Sequence, residues 1–203
     1  MIRWLGPLIV MLGALVGFTA AERGPGDTPA AAVERAPGLR GGALPRDLAG
    51  SPAPPISLTD ARGGRSGTAA MAGRPYLVTF VYTHCPDECP ATAAAIAVAL
   101  HDLGARAREV GVLAVSVDPR GDTPAAARAF LHRHDLPASV RYLLGDEGQL
   151  RAVWRDWLVG GGDTHNLATW LVDAGGRRRA VYAGDVPTAA DLTHDLATLL
   201  RER

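Results

Sequence analysis

Tyr76-Leu77-Val78-Thr79-Phe80-Val81-Tyr82 runs without a break into Thr83-His84-Cys85-Pro86-Asp87-Glu88-Cys89-Pro90, and an alanine-rich helical pattern follows. The first seven residues are largely apolar, as expected of a strand buried on both faces. Pro90 carries the fixed φ that suits the first turn of a helix. Cys85 and Cys89, the only cysteines in the chain, therefore sit where a buried strand hands over to a helix. Free N–H groups and the positive end of the helix dipole beside Cys89 are expected to lower a thiol pKa there.

Working outward, the helix from Pro90 to about Arg108 carries Ile96, Leu100 and Leu103 at i, i+4 and i+7, an inward-facing stripe. Gly111 to Val117 is a second buried strand. Strand, helix and strand at this spacing make a right-handed crossover between parallel strands. Thr123-Pro124 pairs an N-cap with proline at N1 and opens a helix to about His134. Val140 to Leu144 is another strand. Asp146 with Gln149 forms a capping box for a helix bearing Leu150, Val153, Trp154 and Trp157. Leu167 to Val172 and Arg179 to Ala183 read as a hairpin around Gly175-Gly176, and Thr188 with Asp191 caps a last helix to Leu200. Upstream, Ile56 to Thr59 and Ser66 to Ala70 pair across Gly63-Gly64. This order predicts an α/β fold, a thioredoxin-like sandwich with an additional strand and helix, over residues 56–203.

The N-terminus reads as an export segment. Arg3 precedes an apolar stretch from Trp4 to Phe18, and small residues follow at Thr19-Ala20-Ala21. Residues 1–21 are expected to be a signal peptide or an N-terminal membrane anchor, placing the rest outside the cytoplasm, in the periplasm or on the outer face of the membrane. Residues 22–55 are rich in Ala, Gly, Pro and Arg, with little periodicity and no aromatic residue. They are expected to form a disordered tether, since they offer little apolar surface to offset ordering entropy. Formal net charge is zero, with 47% hydrophobic and 21% charged residues and all basic side chains supplied by arginine. That balance fits a globular domain and speaks against nucleic acid or an anionic membrane surface as a partner.

Three chemistries are open to the cysteine pair. A structural disulfide would close so short a loop that little unfolded-state entropy is removed. The other two are thiol–disulfide exchange and metal binding. Three residues between the cysteines leave a wider loop than the common redox spacing, and two sulfurs suit a soft ion. Of six histidines, His84 is expected to be exposed, and His101 and His194 lie on helices. His132 and His134, two apart, do not share a helix face. His165 follows the flexible run Gly160-Gly161-Gly162-Asp163-Thr164 and precedes a strand, so it is the histidine able to swing over the cysteine loop.

The run Thr79 to Pro90 resembles the signature of the Sco/SenC copper-binding proteins, with their C-P-D-x-C-P core. Val115-Ser116-Val117-Asp118-Pro119-Arg120-Gly121-Asp122-Thr123-Pro124 is similar to that family's S-V-D-P-x-x-D-T-P block, and Asp163 to Asp173 to the block that carries its ligand histidine. The resemblance implies a thioredoxin-like fold and one copper ion, Cu(I) or Cu(II), held by Cys85, Cys89 and His165. The family commonly has Asp-His followed by Ser or Thr where this chain has Thr164-His165-Asn166, so the groups orienting the imidazole differ. Oxidation of the cysteines to a disulfide would gate metal loading. Asp118 and Asp122 enter as weak candidates for partner docking, against a plain capping role.

The implied function is that of a metallochaperone for the dinuclear copper site of cytochrome c oxidase subunit II. The resemblance implies subunit II as the partner, with another copper chaperone or a thiol-disulfide reductase as further candidates. The alternative is an enzyme, a thiol-disulfide oxidoreductase acting on partner cysteines. Against the alternative, the proline that faces the cysteine motif in thioredoxin-type oxidoreductases is missing from Val159 to Asp173. The Pro-x-x-x-Thr-x-x-Cys arrangement of peroxiredoxins is also absent, with Val78 and Tyr82 at the required positions.

Overall fold

The computed structural model describes residues 33–34, 36–160 and 168–202. The export segment at 1–21, the first part of the expected tether and His165 lie outside the described residues. Nine strands and four α-helices follow in chain order among those residues: β1 Val33–Glu34, β2 Leu44–Pro45, β3 Ser57–Asp60, β4 Arg65–Gly67, β5 Tyr76–Val81, α1 Glu88–Asp102, β6 Gly111–Ser116, α2 Pro124–Arg133, β7 Val140–Leu144, α3 Glu147–Asp156, β8 Ala168–Val172, β9 Arg178–Ala183 and α4 Ala189–Arg201. No helix among them is long and apolar enough to cross a membrane.

Seven strands form one sheet in the order β4-β3-β7-β6-β5-β8-β9. β5, β6 and β7 are mutually parallel, with Val81 opposite Ser116 and Val115 opposite Leu143. β8 runs antiparallel to β5, Thr79 facing Thr169, and β9 antiparallel to β8. The period-two alternation of each buried strand divides two cores. Leu77, Val81, Val112 and Ala114 face α1, α2 and α4, meeting Ile96, Leu100, Phe130, Leu192 and Leu196. Val78, Phe80, Leu113 and Val115 face α3, meeting Leu150, Trp154 and Trp157. Helices on both faces of a central parallel sheet explain why β5 and β6 are buried at every position and largely apolar.

Local signals place the helices. Thr123 Oγ1 accepts the Ala126 N–H at 3.1 Å, with Pro124 in the first turn. Asp146 accepts the Gln149 N–H at 2.8 Å, and Gln149 returns the bond to the Asp146 N–H at 3.1 Å. Thr188 accepts the Asp191 N–H. The first helix differs from expectation: α1 ends at Asp102, and Gly104, at φ +56°, turns the chain into a 3-10 helix over Gly104–Glu109. Only glycine enters that left-handed region at no steric cost.

The expectation that residues 22–55 form a loose tether does not hold for residues 36–55. That segment lies as a strap along β9, the edge of the sheet. Gly42 and Val181 bond each other through backbone groups, Gly50 N–H donates to the Arg178 carbonyl and Arg178 N–H to the Ser51 carbonyl. Leu39 and Leu44 are buried. The buried carboxylate of Asp195 on α4 accepts the Arg40 and Gly41 N–H groups at 2.8 and 2.9 Å and the Tyr182 hydroxyl at 2.8 Å. Glycine is required at the crossing, since a Cβ on Gly42 would lie 2.6 Å from the Val181 carbonyl oxygen. The composition that suggested disorder instead permits backbone to lie directly on backbone.

Candidate metal and thiol site

The carboxyl ends of β5 and β6 and the start of β8 meet at one end of the sheet. β5 delivers the chain to Thr83 and His84, and the turn at Tyr82–Cys85 closes with the Cys85 N–H on the Tyr82 carbonyl at 3.4 Å. α1 begins at Glu88, so Cys89 lies in its first turn and is fully buried, while Cys85 in the preceding loop is half-buried. Both are free thiols. The Cys89 N–H, one of the helix's unpaired first donors, points at Cys85 Sγ at 3.3 Å.

The two sulfurs are electrostatically unlike. Partial burial pushes the Cys85 thiol up, but hydrogen bonds from the Cys89 thiol, the Cys89 and Asp87 N–H groups and the Tyr82 side chain outweigh it. Its pKa falls below the ordinary value. Burial, together with the Cys85 hydrogen bond, pushes the Cys89 thiol far up. The helix end therefore activates the cysteine in front of it rather than the one inside its first turn. Tyr82, against the pair, is held up to about 12, by burial and by its bond to Cys85.

Asp122, a weak candidate for docking against the likelier loop role, faces inward and is only 7% exposed. Its Oδ1 accepts the Thr83 N–H at 2.8 Å, and its Oδ2 accepts the Ser116 hydroxyl at 2.6 Å and the Tyr142 hydroxyl at 2.8 Å. A carboxylate so engaged offers nothing to a partner surface. Asp118 is half-buried, and its Oδ1 accepts the Arg120 and Gly121 N–H groups in the turn before α2. His84 is exposed, as expected, and His84, Asp118 and Asp122 bring ligand-type atoms within 4.8 Å of one another. With the Asp122 oxygens already bonded three times over, that cluster reads as the packed base of the cysteine loop. His101 and His132 are exposed, and His194 meets the Gly38 carbonyl at 3.0 Å, on the strap side.

His165 lies outside the described residues, but its flanks are fixed. The chain leaves α3 through Trp157 and Val159, both buried, and re-enters the sheet at Ala168, the first residue of β8. Because β8 is antiparallel to β5, that entry is at the end of the sheet where the cysteine loop departs. Thr169 there touches Thr79 of β5 through paired hydroxyls at 3.0 Å. A shallow depression open to solvent, lined by Glu88, Thr92, Thr169, Tyr182, Asp185 and Val186, lies beside the start of α1.

The family model described as SCO1/SenC matches residues 49–201. The chain belongs to the SCO1/SenC family. The SCO1/SenC match begins inside the strap, which agrees with the strap's place in the folded unit. Among solved structures, ScoI of Bradyrhizobium japonicum, determined with copper bound, is 28% identical with a TM-score of 0.62. The match covers 73% of this chain and 99% of that one. Arabidopsis thaliana ScoI, also with copper bound, is 22% identical over 75% of this chain and 100% of the other, with a TM-score of 0.66, a likeness of fold. A SCO2-like protein of Rickettsia conorii is 27% identical over 134 residues, 60% of this chain and 64% of that protein. The match thus takes in less than two thirds of that relative's length. The thioredoxin-like sandwich expected from the element order is the fold of this SCO1/SenC chain.

Proposed function

We propose that this protein is a copper metallochaperone that carries one copper ion on Cys85, Cys89 and His165 and assists assembly of the dinuclear copper site in cytochrome c oxidase subunit II. The observation that carries the reading is a pair of free thiols joined through the Cys89 N–H on Cys85 Sγ, at the end of the sheet where the chain enters β8 after the segment that holds His165. Solved relatives with copper bound support it. Two thiolates favour Cu(I), an imidazole extends tolerance to Cu(II), and a three-ligand site leaves a position for an incoming donor. In this reading Cys85, the more acidic thiol, is the first to ligate. Cys89 must shed its proton against burial, so loading releases protons and weakens as pH falls. Residues 1–21 act as the export signal or anchor that puts the site on the outer side of the membrane, facing the oxidase. Anaerobic titration of the full chain with Cu(I) against a competing chelator tests the assignment. Tight one-to-one binding lost in Cys85→Ser, Cys89→Ser and His165→Ala is the expected result, and weak binding indifferent to all three would end it.

A second reading, thiol–disulfide exchange on partner cysteines, is favoured by the inequality of the two thiols. Cys85 as thiolate would attack a partner disulfide, forming a mixed disulfide and releasing one partner thiolate. Cys89, once deprotonated, would attack Cys85 Sγ, release the second partner thiol and leave a Cys85–Cys89 disulfide, two electrons having passed to the partner. Reduction of an oxidised partner site before copper delivery would use this same pair.

A further inference from the structure

We propose that Asp122 is the positioning residue of the cysteine loop, holding the approach to Cys85 against Ser116 of β6 and Tyr142 of β7 and so setting both the metal affinity and the redox poise of the pair. This rests on the reading of Cys85 and Cys89 as the working site.

An ionised carboxylate this buried is several kcal/mol unfavourable unless its lone pairs are met, and an apolar group of similar volume would hold the strands more cheaply. Here three donors meet it, and they come from three different strands or their exits. Ser116 is the last residue of β6, Tyr142 lies in β7, and the Thr83 N–H follows β5, two residues before Cys85. The support is itself anchored. The Ser116 hydroxyl also accepts the Asp118 N–H at 3.1 Å, and Trp154 of α3 donates through Nε1 to the Ser116 carbonyl at 2.9 Å. The donor gained outside β6 and β7 is the one that fixes the loop, so the expense of burying the charge falls on the cysteine site. A fully satisfied buried network of this kind holds one geometry rather than several.

The test compares the full chain with Asp122→Asn and Asp195→Asn, measuring Cu(I) affinity by chelator competition and the Cys85–Cys89 exchange constant with glutathione. Asp195 is the matched control, a fully buried carboxylate with three donors that holds the strap instead. Asp122→Asn is expected to weaken Cu(I) binding by roughly 10- to 100-fold, the usual cost of losing a group that orients ligands. It is also expected to lower the exchange constant about tenfold, about 30 mV, because a loop no longer held brings the sulfurs together less often. Asp195→Asn should lower the melting temperature and leave both constants unchanged. A folded Asp122→Asn with both constants at the original values would overturn the proposal, as would equal losses in Asp195→Asn. Should Asp122→Asn not fold, Tyr142→Phe removes one donor and keeps the ring; a smaller change in the same direction is expected, and none would overturn it. If the unaltered protein fails to hold Cu(I), the copper reading falls by itself, and the exchange constant still decides the role of Asp122.

Discussion

Cys89 donates its backbone N–H to the sulfur of Cys85 at 3.3 Å, while its own sulfur is buried beneath the first turn of α1. One residue thus activates its neighbour and is itself held inert. The two thiols should therefore separate cleanly in reactivity. Under reducing conditions near neutral pH, iodoacetamide is expected to modify Cys85 alone, with a rate that inflects below the ordinary thiol pKa, and Cys89 only after unfolding. Mass spectrometry of the modified peptides checks this, and equal labelling would contradict it.

The strap is part of the folded domain, and its loss should be felt as instability. Leu44 is fully buried in the face shared with Ile56, Leu58 and Met71, so Leu44→Ala is expected to cost about 2–5 kcal/mol. Gly42→Ala, which drives a Cβ into the Val181 carbonyl, should cost about 1–3 kcal/mol. Denaturant midpoints at constant slope give both values.

Trp157 is the largest fully buried side chain among the described residues, packed edge-on to Trp170 with ring centroids 5.9 Å apart and 6.3 Å from Phe80. It also ends α3 just before the segment that carries His165. Trp157→Ala is expected to destabilise by about 3–5 kcal/mol and to weaken copper binding as well. Trp157→Phe, which keeps most of the packing, should restore binding in a chelator competition.

His134, at the end of α2, packs against Phe130 at 4.5 Å between ring centroids, and its Nε2 has no hydrogen-bond partner among the described residues. Burial first, then the Arg133 charge, hold its pKa below the usual 6.5. Because the folded state resists protonation more than the unfolded state, the contribution of His134 is fully present above about pH 6.5. It declines as pH falls through the folded pKa. Replacement by Asn is expected to flatten the melting-temperature profile modestly on the acid side of pH 6.5 and to leave the profile above pH 7 unchanged in shape.

Much of this architecture is written in short-range signals. Thr123-Pro124, Asp146 with Gln149 and Thr188 with Asp191 mark helix starts because each cap is a local bond within one turn. The strands β5, β6 and β7 are legible because both faces of each are buried. The strap was not legible, because its partners are more than a hundred residues away: Gly42 matters only against Val181, and Arg40 and Gly41 only against Asp195. In the same way Asp122 reads from sequence as one more acid in a turn, and only the convergence of Thr83, Ser116 and Tyr142 reveals that it faces inward. The break at Gly104 was visible as a glycine but was hidden within an otherwise continuous helical pattern. At the site, the two cysteines were legible from their strand-to-helix position. Which of them the helix end activates depends on where one N–H points, and that is a matter of tertiary geometry.

The central claim is that one copper ion is held by Cys85, Cys89 and His165, and X-ray absorption of the Cu(I)-loaded full chain, beside His165→Ala, tests it most directly. The account predicts two sulfur neighbours and one nitrogen neighbour in the unaltered protein, with the nitrogen lost and both sulfurs kept in His165→Ala. A nitrogen that persists in His165→Ala, or a copper ion with fewer than two sulfur neighbours, would contradict it.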